Sequence, residues 1–392
     1  MARPKQVLDR IREFLATESA GGAILVLATL GALIWANVLP GYEAFWHRTF
    51  EVAGVAKDLR HWVNDGLMTL FFFVVGLEIK RELVVGELRE PQVASLPVLA
   101  AVGGMAGPAL LFLAINLGTP GVRGWAIPMA TDIAFVVGAL SLLGPRVPSG
   151  LKAFLLALAI VDDIGAIVVV AAAYTSDVSF AWLAGAAACS FVVLIMRKLR
   201  VAQPGLYLVP GVAMWWCVLQ AHVHPTLAGV ALGLITPARH VHGRNILDDL
   251  QERVHPLSSF AVIPVFALAN AGVALSSDSL ARATGSRLFW GIVVGLVAGK
   301  TFGIFGSSVL VERLRLGRRP SDVDRSDLLG GAILSGIGFT VALFITGLAF
   351  DNDDLVTTAK MGVLVGSIVA AIAGVASLIL GNRRHGRSTT SL

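Results

Sequence analysis

Twelve stretches of this chain run apolar for about the length of a bilayer crossing, and 30 of its 31 Lys and Arg residues lie between them or within a few residues of their ends. A membrane-spanning helix takes ~20 apolar residues. The runs cover approximately 19–38, 59–80, 95–117, 122–143, 151–175, 180–199, 205–220, 223–238, 256–275, 288–312, 328–350 and 357–381. The seventh and eighth are short, and the ninth begins earlier, in the amphipathic stretch Ile246–Val254. The expected fold is an all-α polytopic bundle of about twelve transmembrane helices. Composition agrees: hydrophobic residues are 56% and charged residues 15%, against about 25% charged in a soluble domain. Mean hydropathy is +0.77.

The net charge of +5 would suit a nucleic-acid partner. However, the basic residues sit in short connectors, and no basic patch interleaved with aromatics follows a phosphate backbone. No nucleic acid is expected. Cys189 and Cys217 both lie in apolar runs and read as neither a disulfide framework nor a metal site. No cleavable signal peptide is evident. Residues 1–18 are polar and basic, with Val7–Leu15 expected to form a short amphipathic helix at the membrane surface. The run from about Gly21 reads as an uncleaved anchor.

Basic residues fix the orientation. With the N-terminus in the cytoplasm, 23 Lys and Arg fall on the cytoplasmic side and 7 on the other, leaving Lys300 inside a span. An even number of spans returns the C-terminus to the cytoplasm. The sequence therefore reads as one transporter-sized membrane domain over 1–392. It comprises a cytoplasmic segment 1–18, a bundle 19–381 and a cytoplasmic tail 382–392.

A few charges contradict the apolar text. In Ala153–Tyr174, Asp162 and Asp163 are the only charges. Each ionised carboxylate at bilayer depth opposes insertion by about 2.5–3.5 kcal/mol, so the pair opposes it by about 5–7 kcal/mol. Intramembrane acids point to ions or protons. Neighbours on a helix point about 100° apart, so one aspartate can face a cavity while the other meets a partner on another helix. Lys300 is the natural partner, either as a structural counter-charge or as a proton carrier. Asp65, in VNDGLM, either caps the second span or lines a path to the outer side, and the cap is the better fit.

Two spans are interrupted centrally. The fourth carries Pro128, Thr131 and Asp132; the eleventh carries Gly336, Gly338 and Thr340. Non-helical backbone at membrane depth is tolerated where it is buried in protein or lines a cavity, and paired broken helices mark transporter sites. Packing alone also places Gly and Pro in membrane helices. At the end of the second span, Glu78, Arg81 and Glu82 stand at i, i+3, i+4 and read as a salt-bridged helix end or a charged cation funnel. His224 at the mouth of the eighth span, with Glu252 and His255 before the ninth, offers titratable groups near neutrality.

These motifs resemble the NhaA family of sodium/proton antiporters. The matching text is NDGLMTLFFFVVGLEIKREL, PMATDIAFVVGAL, FLLALAIVDDIGAIVV, HPTLAGV, VIPVFALANAGV, Gly299-Lys300 and LSGIGFTVALFI, and it spans about residues 15–380. The resemblance implies inverted-topology repeats, an architecture for which this family is itself a type example, with two discontinuous helices crossing at mid-membrane. It implies that Asp163 is the principal ion ligand and that Asp162 pairs with Lys300. Thr131 and Asp132 match the unwound crossing, where Asp132 offsets helix N-terminal dipoles and Lys300 the C-terminal ones. Glu78, Arg81, Glu82, Glu252 and His255 match a cytoplasmic pH sensor, and His224 a pH-response histidine. Pro225 replaces the smaller residue that members usually carry after that histidine.

The resemblance further implies electrogenic export of Na+ or Li+ in exchange for more than one proton per ion, pH regulation, no cofactor and a homodimer. A midplane carboxylate would hold either a proton or a dehydrated cation, with the acids and Lys300 titrating as a coupled set. There is no Walker-type phosphate loop. A passive cation channel is the main alternative. An intramembrane aspartyl protease needs two acids converging on one water, which adjacent acids on one helix fit poorly. A retinal-type photoreceptor with a Schiff base at Lys300 disagrees with twelve spans.

Overall fold

The computed structural model describes residues 4–52, 54–175, 178–201, 203–238, 240–241 and 244–388. Six helices are long and apolar enough to cross a membrane, and eight crossings result if each of two bent helix pairs is one span. Shorter apolar helices occupy Gly205–Gln220 and Thr226–Ile235. Two further runs, residues 59–84 and 246–270, are helical but interrupted by π-turns at Val63–Leu67 and Ser258–Val262. Together these match the twelve apolar runs of the sequence. Their outer faces are apolar: on helix Phe180–Lys198 the side chains of Phe180, Trp182, Phe191, Val192 and Leu194 all stand exposed. Soluble monomers rarely expose contiguous apolar surface of this kind. The protein is an all-α membrane protein.

The N-terminal stretch differs from the expected separate surface helix. A single helix, Pro4–Val38, carries it straight into the first span. The joining residues Leu15–Ala20 include strong helix formers and no proline, so nothing stops propagation. The last helix, Asp353–Ser388, likewise continues into the tail. Residues 1–3 and 389–392 of the two predicted terminal segments lie outside the described residues.

Packing divides the chain into two compact units. The first comprises Met1–Asn37, Glu90–Ala166 and Ala271–Leu392. Within it, helix Pro91–Asn116 lies against Lys300–Arg313 along a glycine seam. A Cβ at Gly103 would stand 2.5 Å from the Gly303 carbonyl oxygen. Small residues let backbones approach this closely where apolar burial gives no drive inside lipid.

The second unit comprises Val38–Arg89 and Ile167–Asn270. Helix Met68–Val84 packs on Thr226–Ile235, with Gly76 facing the Val230 carbonyl and Gly233. This unit also holds an antiparallel hairpin, Thr49–Val52 with Val55–Asp58, which the all-α expectation did not include. Its strands carry the β-branched or aromatic residues Thr49, Phe50, Val52 and Val55, and Gly54 turns the chain at φ +84°. A second short ladder pairs His240–Val241 with Arg244–Asn245. Cys189 and Cys217 are both free thiols.

Candidate ion-binding site

The site of the first unit begins with two broken helices. Segment Pro120–Met129 is a tight 3₁₀ helix, followed after residues 130–132 by Ile133–Leu143 at a bend of 44°. Arg325–Leu334 and Phe339–Ala349 meet at 43° across residues 335–338. Pro128 lies in the last turn of the 3₁₀ segment, where its missing N–H and fixed φ favour termination. The breaks touch. The Asp132 backbone N–H donates to the Ile337 carbonyl at 2.6 Å. A Cβ on Gly338 would stand 2.8 Å from the Ala130 carbonyl oxygen, and one on Gly336 would stand 2.4 Å from that of Leu296. Glycine at 338 permits the crossing, and glycine at 336 lets the break lie against the Leu296 backbone.

One carboxylate serves both half-helix starts. Asp132 accepts from the Phe135 N–H at 3.3 Å, from the Thr340 N–H at 2.9 Å and from the Thr340 hydroxyl at 2.6 Å. Each helix N-terminus carries about half a positive charge, which favours a buried anion there. Thr131 reaches the other side of the crossing. Its Oγ1 lies 3.0 Å from the Ser335 carbonyl oxygen and 2.7 Å from Asp162 Oδ2. A threonine has one hydroxyl hydrogen, so it donates to Asp162 or to Ser335, according to which oxygen holds the greater charge.

Asp162 is 1% exposed and Lys300 is wholly buried. The Lys300 ammonium donates to Asp162 Oδ2, the same oxygen that Thr131 approaches. A π-turn, Gly295–Gly299, immediately precedes Lys300. Such a turn adds a residue to the helical count and rotates the next turn of helix about its axis. Asp162 Oδ1 is buried and makes no hydrogen bond to any described residue. Asp163, the next residue on the helix, is also buried at 7% exposure. The assembled donors are carboxylate, hydroxyl and carbonyl oxygens, the set that hard cations take. Among the described residues no group of three His, Cys, Asp or Glu is arranged for a metal ion. The chemistry on offer is a buried acid that can exchange a proton for a small hard cation.

The remaining predicted residues fall in the second unit. Glu78 and Arg81 reach across to the helix Ile246–Leu257: His255 Nε2 is 3.8 Å from Glu78 Oε1, and Arg81 donates to Gln251 Oε1 at 3.4 Å. Glu82 is partly buried, whereas Glu252 on the same helix as His255 is exposed. His224 is half-buried just before Thr226–Ile235. Asp65 is not the helix cap that its position suggested. The cap is Asp58, whose side chain accepts from the His61 N–H. Asp65 instead lies buried in the π-turn and is ion-paired with Lys57 at 2.5 Å.

Sequence reasoning missed Lys57, the Ser335 carbonyl and the two hydrogen bonds that Thr340 donates to Asp132. It also passed over Lys360, whose side chain is buried. The usable signal for Thr340 was its place two residues after Gly338, at the start of a half-helix.

Asp58 supplies a pH-sensitive anchor. Burial alone would push its carboxyl up, but the His61 backbone N–H, the His61 ring and the His47 ring outweigh that and hold it below the usual carboxylate range. Its stabilisation is therefore complete above the ordinary value of about 3.9 and is lost as pH falls through the lower folded one. A fluorotryptophan NMR signal from Trp62, whose indole donates to Phe50, is expected to shift in that acid range. In Asp58→Asn the transition should vanish.

The family model described as Na+/H+ antiporter 1 matches residues 12–378. The chain belongs to this family. Among its relatives, an Na+/H+ antiporter NhaA 3 from Frankia alni is 44% identical over 97% of this chain and 91% of the relative. An Na+/H+ antiporter NhaA from Vibrio cholerae is 44% identical over 95% of this chain and 98% of its own. Another from Escherichia coli is 43% identical over 94% and 97% respectively. As a member of the Na+/H+ antiporter 1 family, the chain is a membrane transporter rather than an enzyme.

Proposed function

We propose that this protein exchanges cytoplasmic Na+, or Li+, for external protons, with Asp163 and Asp162 as the shared cation and proton site. The arrangement that carries this reading is Asp162, buried between Lys300 and Thr131 beside the crossing of two broken helices. Its second oxygen is unclaimed by a hydrogen bond. A sodium ion reaching the two carboxylates takes the place of protons, and protons returning from outside release it. Lys300 serves as a tethered monovalent cation that keeps Asp162 compensated in either loaded form. Asp132 neutralises the half-helix ends so that the crossing persists without a bound ion.

Exchange of more than one proton per sodium makes transport electrogenic. Both packing units belong to one transporter in the bacterial inner membrane, with both termini cytoplasmic, and the transporter works as a homodimer. Glu78, Arg81, Glu82, Glu252 and His255 form a cytoplasmic funnel that sets its pH response. His224 acts on the opposite side.

Purified protein in proteoliposomes with an imposed proton gradient tests the exchange. Addition of Na+ or Li+ is expected to dissipate the gradient saturably, with a rate that changes across a pH series. Sodium flux that proceeds without proton movement would make the protein a channel and end the exchange reading.

A further inference from the structure

We propose that the connector of residues 314–324 holds a binding site for a phosphate group, centred on Arg318 and Arg319. This connector joins helix Lys300–Arg313 to the broken pair that begins with Arg325–Leu334. Five arginines, at 313, 315, 318, 319 and 325, fall within thirteen residues, with no lysine among them. The site is independent of the exchange reading, and only its cytoplasmic side rests on the orientation above.

The connector is built onto the ends of neighbouring helices. Gly317 lies against the start of helix Pro91–Asn116, where a Cβ would stand 2.7 Å from Ser95 Oγ and 3.1 Å from the Leu96 nitrogen. Asp322 accepts from the Ser149 hydroxyl at 3.2 Å and from the Gly150 N–H at 2.9 Å. These begin helix Ser149–Ala173, which bears Asp162 and Asp163. Val323 is buried. Held in this way, the connector borders a cavity of about 310 Å³ whose lining includes Glu312, Arg318, Arg319, Ser321 and Asp324.

The acids in that lining are already engaged, whereas the bases are not. Asp324 gives its carboxylate to the Asp327 N–H in a capping box. Glu312 lies 3.5 Å from Arg319 Nε and 3.9 Å from Arg325 Nη2. Arg319 Nη1 is buried and meets no acceptor among the described residues. Arg318 is exposed and has no ion-pair partner among the described residues. A buried donor without an acceptor is costly, and a phosphate oxygen supplies one. Guanidinium groups remain protonated and match phosphate oxygens in pairs. The Ser321 hydroxyl adds a further donor. Leu314 and Leu316, 59% and 56% exposed, flank Arg315. The connector therefore presents apolar and cationic groups together at the end of a span, where phospholipid headgroups lie. The phosphate comes either from such a headgroup or from free phosphate, and the recognising chemistry is the same.

The full-length protein in detergent micelles is titrated with inorganic phosphate in one arm and with phosphatidylglycerol in the other, read by phosphorus NMR line broadening. Saturable binding is expected in at least one arm. Arg318→Gln combined with Arg319→Gln should raise the dissociation constant about ten-fold, the scale of a charge-assisted hydrogen bond. Arg318→Gln alone breaks no ion pair, so it should fold as wild type does and weaken binding by about three-fold or more. Arg313→Gln removes the same charge outside the cavity lining and should stay within about two-fold of wild type, as for an exposed, screened charge. Phosphatidylglycerol binding that inorganic phosphate does not displace makes this a headgroup site, and displacement makes it a site for free phosphate. Saturable binding in neither arm, or an Arg313→Gln loss equal to that of Arg318→Gln, overturns the proposal.

Discussion

Asp163→Asn is expected to reduce sodium-driven proton flux to the level of protein-free vesicles while the protein still folds. The substitution keeps the size of the side chain and removes its charge. It leaves the Lys300–Asp162 pair and the Asp132 contacts in place, so the scaffold should persist. What is lost is the anion that attracts a desolvated cation and carries a proton in its absence. Asparagine offers an amide oxygen but neither binds a proton in the working range nor compensates a positive ion. Asp163→Glu keeps the charge and should retain partial exchange, with the carboxylate displaced by one methylene. The double variant Asp162→Asn, Asp163→Asn should be equally inactive. Proton flux on adding sodium that matches wild type in this double variant would sink the site assignment. Proteoliposome fluorescence across a range of Na+ concentrations measures it.

Lys300→Met is expected to cost about 3–5 kcal/mol of stability, the scale for breaking one side of a buried ion pair. Methionine fills the lysine stem's volume, so packing is largely kept. The cost arises because Asp162 is left in a site with 1% exposure, with the Thr131 hydroxyl as its one remaining donor among the described residues. Neutralising the survivor should repair this. Lys300→Met with Asp162→Asn should recover most of the lost stability, since replacing a whole buried pair is often close to neutral. Thermal unfolding in detergent, read as the shift between single and double variants, decides it. A double variant no more stable than the single would show that the contact is not the source. Lys300→Arg should fold, because the charge remains, but with an altered pH profile, because guanidinium stays protonated throughout.

Much of the architecture was legible because lipid leaves a chain few options. An apolar run of about twenty residues has one secondary structure available, so the helical runs could be read directly. The interruptions in the fourth and eleventh spans were legible because Pro128, Gly336 and Gly338 are poor helix formers at depth. The hairpin escaped, since eight residues of mixed character between spans carry no periodic signal strong enough to separate strand from loop. Asp65 was misread as a cap for a related reason. Position relative to a span start does not reveal which of two nearby aspartates, Asp58 or Asp65, faces the free N–H groups. The π-turns at Val63–Leu67, Ser258–Val262 and Gly295–Gly299 left no compositional trace either.

By itself, the sequence determined that this is a membrane bundle with acids where acids are expensive. It also determined that Asp132, Asp162, Asp163 and Lys300 lie inside it. Those are one-dimensional facts about hydropathy and charge. Only the tertiary structure decided how the charges are matched. Helix Lys300–Arg313 brings its lysine to Asp162 Oδ2 across 138 positions of sequence. Asp132 takes both donors of Thr340 across 208. Lys57 falls on Asp65 because a hairpin turns at Gly54. Burial makes a partner necessary for each charge, but which partner is set by helix rotation and by the close approach that glycine allows.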